Sequence, residues 1–368
     1  MRSQDELLIT TAGELEGTDS FVSVDPDHAA YAKFLLSLKA TGVLAGEAEY
    51  FVAVDGEGDR VGRLAATLGP SPDVGLVGLL ALNDKHGDKH GDKRGDERGD
   101  GAWVQSVTGA LLSSCETWLL SRGVDKVYGP VDFSTFFDYR LRDRTGEEGQ
   151  GPDFSWEPAQ PQSHLLAFGA AGYAPVERYH SVFYETSETF QPRTVVRMME
   201  PVWRAAVEAG MEFVAFDEVR PAGRLIPILE AITLDAFKDN FLYAPIPSEA
   251  FEALYAPLVQ RLDLSLSQLV RGPDGTEVGF VFAFEDSGYC VVKSIAVRTA
   301  WRRLHLSSAL VQRCLARADE MGLTRFASAL VREGNVSEFL QRRHHQHPIR
   351  VWKHHYVLMG KALKGVGR

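Results

Sequence analysis

Arg298, Arg302 and Arg303, with His305 and the hydroxyls of Thr299, Ser307 and Ser308 among them, crowd one short connection at 298–308. Guanidinium groups and hydroxyls at this density suit a phosphate or another anion. The residues before the connection, 289–297, are mostly β-branched or apolar and read as a buried strand. After it, Ala309, Leu310, Cys314, Leu315 and Ala318 recur at helical spacing. A helix start fed by such a connection offers unpaired N–H groups and the positive end of the macrodipole, so 298–308 is a candidate anion cradle.

Other groupings could also do chemistry. The turn 129–135, Gly-Pro-Val-Asp-Phe-Ser-Thr, offers Asp132, Ser134 and Thr135 at the end of a strand, either to hold a substrate or to brace the turn itself. Phe237, Asp239, Asn240 and Tyr243 close a helical pattern, where capping and aromatic packing account for them. Arg342-Arg-His-His-Gln-His347, with His354 and His355 beyond, invites a metal reading. No carboxylate or thiolate accompanies these histidines at ligand spacing and the neighbouring arginines repel a cation, so no metal is expected. Cys115, Cys290 and Cys314 each sit in an apolar pattern, too few and too scattered for a disulfide framework.

The elements that must position these groups fill a chain of 368 residues, 45% hydrophobic and 24% charged, enough for two ordinary domains. The first half reads as a helix at 25–38, strands at 49–55, 60–68 and 74–82, a helix at 102–121, a strand at 126–128, a short helix at 163–172 and a strand at 177–185. Between the third strand and the long helix lies a fourfold tetrapeptide repeat, 85–100, whose glycines and charges predict a mobile loop. The polar segment 186–192 reads as a connection. Beyond it come helices at 194–209, 223–237 and 248–259 and strands at 211–216, 265–271 and 277–285. The strand 289–297 and its helix follow, then a strand at 324–331, a helix at 335–342 and a last strand at 350–361. The implied domains are 1–188 and 189–368.

The segment 289–308 resembles the acyl-donor motif of the GNAT (GCN5-related N-acetyltransferase) superfamily, in which a strand ending in Val runs into an aromatic and an Arg-Gly-x-Gly-x-Gly/Ala loop. Val297, Trp301 and Arg302 fit, while Arg303, His305 and Ser307 stand where that family has glycines. The turn 129–135 is similar to the Gly-Pro-x-Asn-Phe-Ser signature of tandem GNAT proteins, and the order of elements in the first half resembles the GNAT order. The resemblance implies an α/β fold of two tandem GNAT-like domains forming a pseudo-dimer, with the donor in the second. It implies that Ser294, Ile295, Ala296 and Val297 grip the donor, helped by Arg302, Arg303, His305, Ser307, Ser308 and Asn335. It places the acceptor near Phe237, Asp239, Asn240, Tyr243, Asp132 and Ser134. Tyr356 would protonate the leaving thiolate, with Ser294 beside it at the reacting centre and Met359 as the other residue that could occupy the tyrosine's place.

The resemblance thus implies amide formation from an acyl-CoA and the amine of a small molecule. A second reading is a GNAT-fold transferase using aminoacyl-tRNA, and a third is a ligand-binding protein without activity. Net charge is −11, yet residues 298–368 carry 14 Lys+Arg against 4 acids, a local +10 that favours a polyanion at this end. The acidic start and the lack of any apolar run long enough to span a bilayer predict no membrane and a cytoplasmic location.

Overall fold

The computed structural model describes residues 7–12, 18–22, 24, 29–83, 97–146, 153–185, 192–335 and 350–363. In chain order the first half holds β1 (Leu8–Thr11), α1 (Thr18–Val22), α2 (Ala29–Ala40), β2 (Ala48–Val54), β3 (Arg60–Leu68), β4 (Val74–Leu82), α3 (Glu97–Ser121), β5 (Lys126–Gly129), β6 (Leu141–Asp143), α4 (Gln162–Ala170) and β7 (Ala174–Glu185). The second half holds α5 (Pro192–Glu208), β8 (Glu212–Ala215), α6 (Phe216–Val219), α7 (Leu225–Ala236), α8 (Ser248–Arg261), β9 (Gln268–Arg271), β10 (Glu277–Asp286), β11 (Tyr289–Val297), α9 (Leu306–Glu320), β12 (Arg325–Arg332) and β13 (Arg350–Ala362).

All strands join one mixed sheet, ordered β1-β2-β3-β4-β5-β13-β7-β12-β11-β10-β9-β8, with β6 paired to β13. Alternation along the strands sends side chains to two faces. One face carries Val52 and Ala65 in the first half and Val291 and Phe282 in the second, and these share a single core with α2, α7 and α8. The opposite face is covered by α3 and α4 over the first half, and by α5 and α9 over the second. The architecture is α/β, two halves fused edge to edge in one mixed sheet.

The halves do not separate at residue 188. β13, last in the chain, crosses back and pairs with β5 and β7 of the first half, while β7 pairs on its other side with β12 of the second. Each half therefore completes its sheet with a strand the other needs.

Most expected elements form within a few residues of their predicted ends. Three readings change. The helix predicted from 102 begins at Glu97, so the last tetrapeptide of the repeat is helical, while 84–96 lies outside the described residues. The connection 298–308 is mostly a 3-10 helix, Thr299–Leu304, closed by His305 at φ 54°. That is the left-handed conformation a glycine adopts freely and a histidine adopts under strain. In α2 the pattern predicts Ala30, Tyr31, Phe34 and Leu35 on one face, whereas Ala30 is exposed and the buried stripe is Ala32, Leu35, Leu36 and Leu38. The connection 186–191, the helix expected after Asn335 and the histidine cluster up to 349 lie outside the described residues.

Candidate functional site

Each half contains one pair of neighbouring parallel strands that start together and part. β4 and β5 pair only through Val74, Gly75 and Leu76, and β11 and β12 only through Tyr289 to Val292. Where the pairs diverge, the first strand of each carries a bulge, at Leu79–Leu80 in β4 and at Lys293 in β11. A bulge bends its strand and breaks the ladder, which opens a V-shaped notch in the sheet.

The notch of the first half is filled. The turn after β5 folds into it: the Val131 N–H donates to the Val77 carbonyl at 2.8 Å, and the Leu79 N–H donates to the Asp132 carboxylate at 2.6 Å. Arg63, buried, donates to the Leu79 carbonyl at 3.3 Å. Both backbone groups of Leu79 are therefore held by side chains. Burial and the neighbouring Asp138 push the Asp132 carboxyl up to about 7. Ser134, also buried, sits 3.4 Å from the Ala244 carbonyl and accepts from the Phe136 N–H. Asp132 and Ser134, expected at the acceptor, here brace the turn that closes the first notch.

In the second half, Lys293, Ser294 and Ile295 are half-buried along the parted edge of β11, with Ala296 and Val297 buried beyond them. No described strand pairs with 293–297 on the β12 side. Across the notch, the Leu330 N–H donates to Ser181 Oγ at 3.2 Å, and Arg140 reaches the Leu330 carbonyl at 3.4 Å. Arg140 is clamped between the rings of Tyr139 and Tyr179, at 3.8 and 4.2 Å. Beyond β11, after the 3-10 turn 299–304, the first turn of α9 begins; its Ser308 and Ala309 N–H groups donate to the His305 carbonyl at 3.0 and 3.3 Å, and those of Leu306 and Ser307 have no partner within the helix. His305, Arg303 and Arg302 are exposed there, and Ser307 and Ser308 are half-buried.

Two expected contributors are engaged elsewhere. Arg302 donates through Nη2 to the Ala236 carbonyl, at the last residue of α7, instead of lying along the start of α9. A cation there complements the negative end of that helix. Tyr356 is fully buried on β13. Its hydroxyl donates to Glu157 and lies 3.4 Å from Ser181 Oγ, and burial together with the Glu157 charge pushes its ionisation well above the usual tyrosine range. The same Ser181 Oγ takes the Leu330 N–H across the notch, so the Tyr356 hydroxyl lies one hydrogen bond behind the parted edge, committed to Glu157. Met359 is buried in the core of the first half. Asn335 is exposed just after β12, its N–H on the Arg332 carbonyl at 3.2 Å.

The residues expected at the acceptor come together only in part. Tyr243 packs on Phe136 with ring centres 6.1 Å apart and donates to the Leu234 carbonyl at 3.1 Å, so this side of the second half touches the turn of the first. Phe237 caps α7, and Asp239 and Asn240 are exposed in the tight turn that follows.

Several polar groups at the notch went unforeseen. Lys293 Nζ donates to the Trp156 carbonyl at 3.2 Å and lies 5.1 Å from the centre of the indole ring. Burial, then the charge of Arg140, push its ammonium down to about 7 against the opposing pull of Glu157 and Asp138. Glu157 is buried beneath it, 3.0 Å from Nδ1 of the buried His354. The lysine was legible, being the one charged residue in an otherwise apolar or small strand, Tyr-Cys-Val-Val-Lys-Ser-Ile-Ala-Val. Glu157 and His354 lie far apart in the chain and only the crossing of β13 joins them.

Residues 197–329, which contain β11, α9 and the first five residues of β12, match the family model described as Acetyltransferase (GNAT) domain. No curated protein sequence matches the chain. Among solved structures, the GCN5-related N-acetyltransferase from Sphaerobacter thermophilus is 18% identical, with 97% of this chain and 96% of that one covered at a TM-score of 0.45. A tandem GNAT protein from the clavulanic acid biosynthesis pathway is 13% identical, with 98% and 99% covered at 0.47. The GCN5-related N-acetyltransferase from Kribbella flavida is 11% identical, with 97% and 72% covered at 0.48.

Proposed function

We propose that this chain, whose second half carries a GNAT domain, transfers an acyl group from an acyl-CoA to the amine of a small molecule at the notch between β11 and β12. The observation that carries the reading is that notch: a parted strand edge at 293–297 leads into the first turn of a 15-residue helix. An extended thioester arm can lie along such an edge, and a pyrophosphate suits the helix start beyond it. Arg303, exposed just before that turn, would steer the phosphates.

The first half supports the site without repeating it. Its own notch is occupied by Val131 and Asp132, so one donor per chain is expected. The amine would enter from the face shared by α7, α8 and the turn 129–135, where Tyr243 meets Phe136. Domain junctions are favoured places for such pockets.

Aminoacyl-tRNA is the weaker donor. Much of the positive charge after 298 is engaged within the fold: Arg317 with Glu320 at 3.0 Å, Arg332 with Glu177 at 2.6 Å and Lys361 with Glu116 at 2.8 Å. Arg313 lies over Trp203 and Arg325 over Tyr289. Among the described residues, no helix is long and apolar enough to cross a membrane.

Titration calorimetry with acetyl-CoA tests the reading, followed by incubation of the protein with acetyl-CoA and a panel of primary amines and amino sugars while free thiol is recorded. One donor bound per chain and amine-dependent thiol release are expected. Two donors per chain would mean that the first notch opens. Binding to tRNA that falls steeply with salt, without binding to acetyl-CoA, would favour the other donor.

A further inference from the structure

Acyl transfer to an amine requires that an ammonium lose a proton before its nitrogen can attack. At the notch, one side chain has the place and the freedom for that task. Lys293 is the bulged residue of β11 itself, at the point where the sheet parts, so its side chain leaves the strand where a thioester lying along 294–297 would present its carbonyl. Its one polar partner among the described residues is the Trp156 carbonyl, and no carboxylate lies within ion-pairing distance. The charged groups that act on it are Arg140 and Asp138, from the turn leading into β6, and Glu157, beside Trp156. The apolar neighbours and the arginine disfavour its charged form, and the indole and the carbonyl hold it in place. In the first half the bulge falls on Leu79 and Leu80, which offer no proton acceptor.

We propose that Lys293, as the neutral amine, is the general base that deprotonates the acceptor in the second notch. The assignment rests on the acyltransferase reading above. In the step, Lys293 Nζ takes one proton from the acceptor ammonium. The freed lone pair forms the C–N bond at the thioester carbonyl, and the C–S bond breaks with its electron pair on sulfur. The thiolate takes the second proton lost by the nitrogen. Lys293 returns its proton to water through the half-exposed side of the notch, so acyl-CoA and the ammonium give amide, free thiol and one proton. A base with its pKa near the working pH is the effective kind. Burial of a lysine beside a second cation is a known physical route to one.

The experiment has two readouts. Competitive labelling of the full chain with acetic anhydride across pH 5–11, with Lys293 followed by peptide mass spectrometry, reports its ionisation without any acceptor. Reactivity rising through about pH 7 is expected, and an inflection above pH 9 overturns the assignment. For turnover, the amine acylated fastest in the panel above is used with acetyl-CoA. Lys293→Met should lower kcat/KM by about 10²–10⁴-fold and leave acetyl-CoA binding within a factor of two or three. It should also move the acidic limb of the pH profile up to the pKa of the amine itself. Lys293→Arg, which keeps the charge and cannot deprotonate, should fail alike and guards against a mere folding defect. Either variant at full rate with an unshifted profile overturns the base while the acyltransferase reading stands. Wild-type protein that binds acetyl-CoA and acylates no amine in the panel overturns the base as well. Wild-type protein that does not bind acetyl-CoA overturns the acyltransferase reading first.

Discussion

The two notches are built from the same parts and finished in opposite ways. In each, parallel strands separate at a bulge, but the first is sealed by Val131, Asp132 and Arg63, whereas no described strand pairs with β11 on the β12 side beyond Val292. The bulge alone therefore does not make a donor site. What distinguishes them is which groups satisfy the backbone that the bulge releases: side chains of the protein in the first and, on the proposal above, an extended ligand in the second. A buried polar backbone group without a partner is costly, so a notch that binds nothing must be filled from within.

Breaking the seal is the strongest test of this contrast by stability. Gly78 lies under the sealing turn, and a Cβ added there would stand 2.2 Å from the Val131 carbonyl oxygen and 2.7 Å from Asp132 Oδ1. Because the first of these is backbone, the whole turn must lift. Gly78→Ala should destabilise the protein by about 3 kcal/mol, the upper end of ordinary overpacking, seen as a lower urea midpoint. An unchanged midpoint would mean that the turn is loosely held and the first notch can open.

Asp132 gives a smaller and pH-dependent effect. Asp132→Ala strands the buried Leu79 N–H and should cost about 1–3 kcal/mol. Its carboxyl sits at about 7 in the fold against about 3.9 in the unfolded chain. Between these values the folded state binds more protons than the unfolded one, so this group makes stability fall as pH rises from about 4 to about 7. Asp132→Asn keeps an oxygen for Leu79 and cannot ionise. It should flatten that fall, as urea titrations at pH 4.5 and 7.5 would show. A slope unchanged by the substitution would place the titration elsewhere.

Local patterning carried most of the elements. The strand Tyr289–Val297 and the hairpin strand Arg60–Leu68 stand where β-branched and apolar runs bounded by turn residues put them. The exchange of β13 and β7 between halves was not legible, because strand pairing depends on contacts distant in sequence and either half could have closed on its own last strand. The surroundings of Tyr356 were hidden for that reason: its place on β13 follows from the pattern, but only the crossing sets it against Glu157 and Ser181 of the first half. The seal was half legible. Asp132 and Ser134 stood out as a polar turn, and turn bracing was the alternative to substrate contact. Nothing in the sequence said that the group braced would be Leu79.

Arg302 supplies the smallest effect, and it probes the open side of the comparison. From sequence its guanidinium belonged to the donor, but the fold ties it to the Ala236 carbonyl at the end of α7. The side chain is exposed and screened by water, so Arg302→Ala should remove only about 1 kcal/mol, a fall in Tm of roughly 2 °C. With the guanidinium committed to α7, the affinity for acetyl-CoA should change by less than about threefold, under 1 kcal/mol. Calorimetry and thermal unfolding on one preparation separate the possibilities. A tenfold loss of acetyl-CoA affinity at unchanged Tm would show that Arg302 leaves Ala236 when a donor arrives, and that the open notch is completed by a residue the free protein holds in reserve.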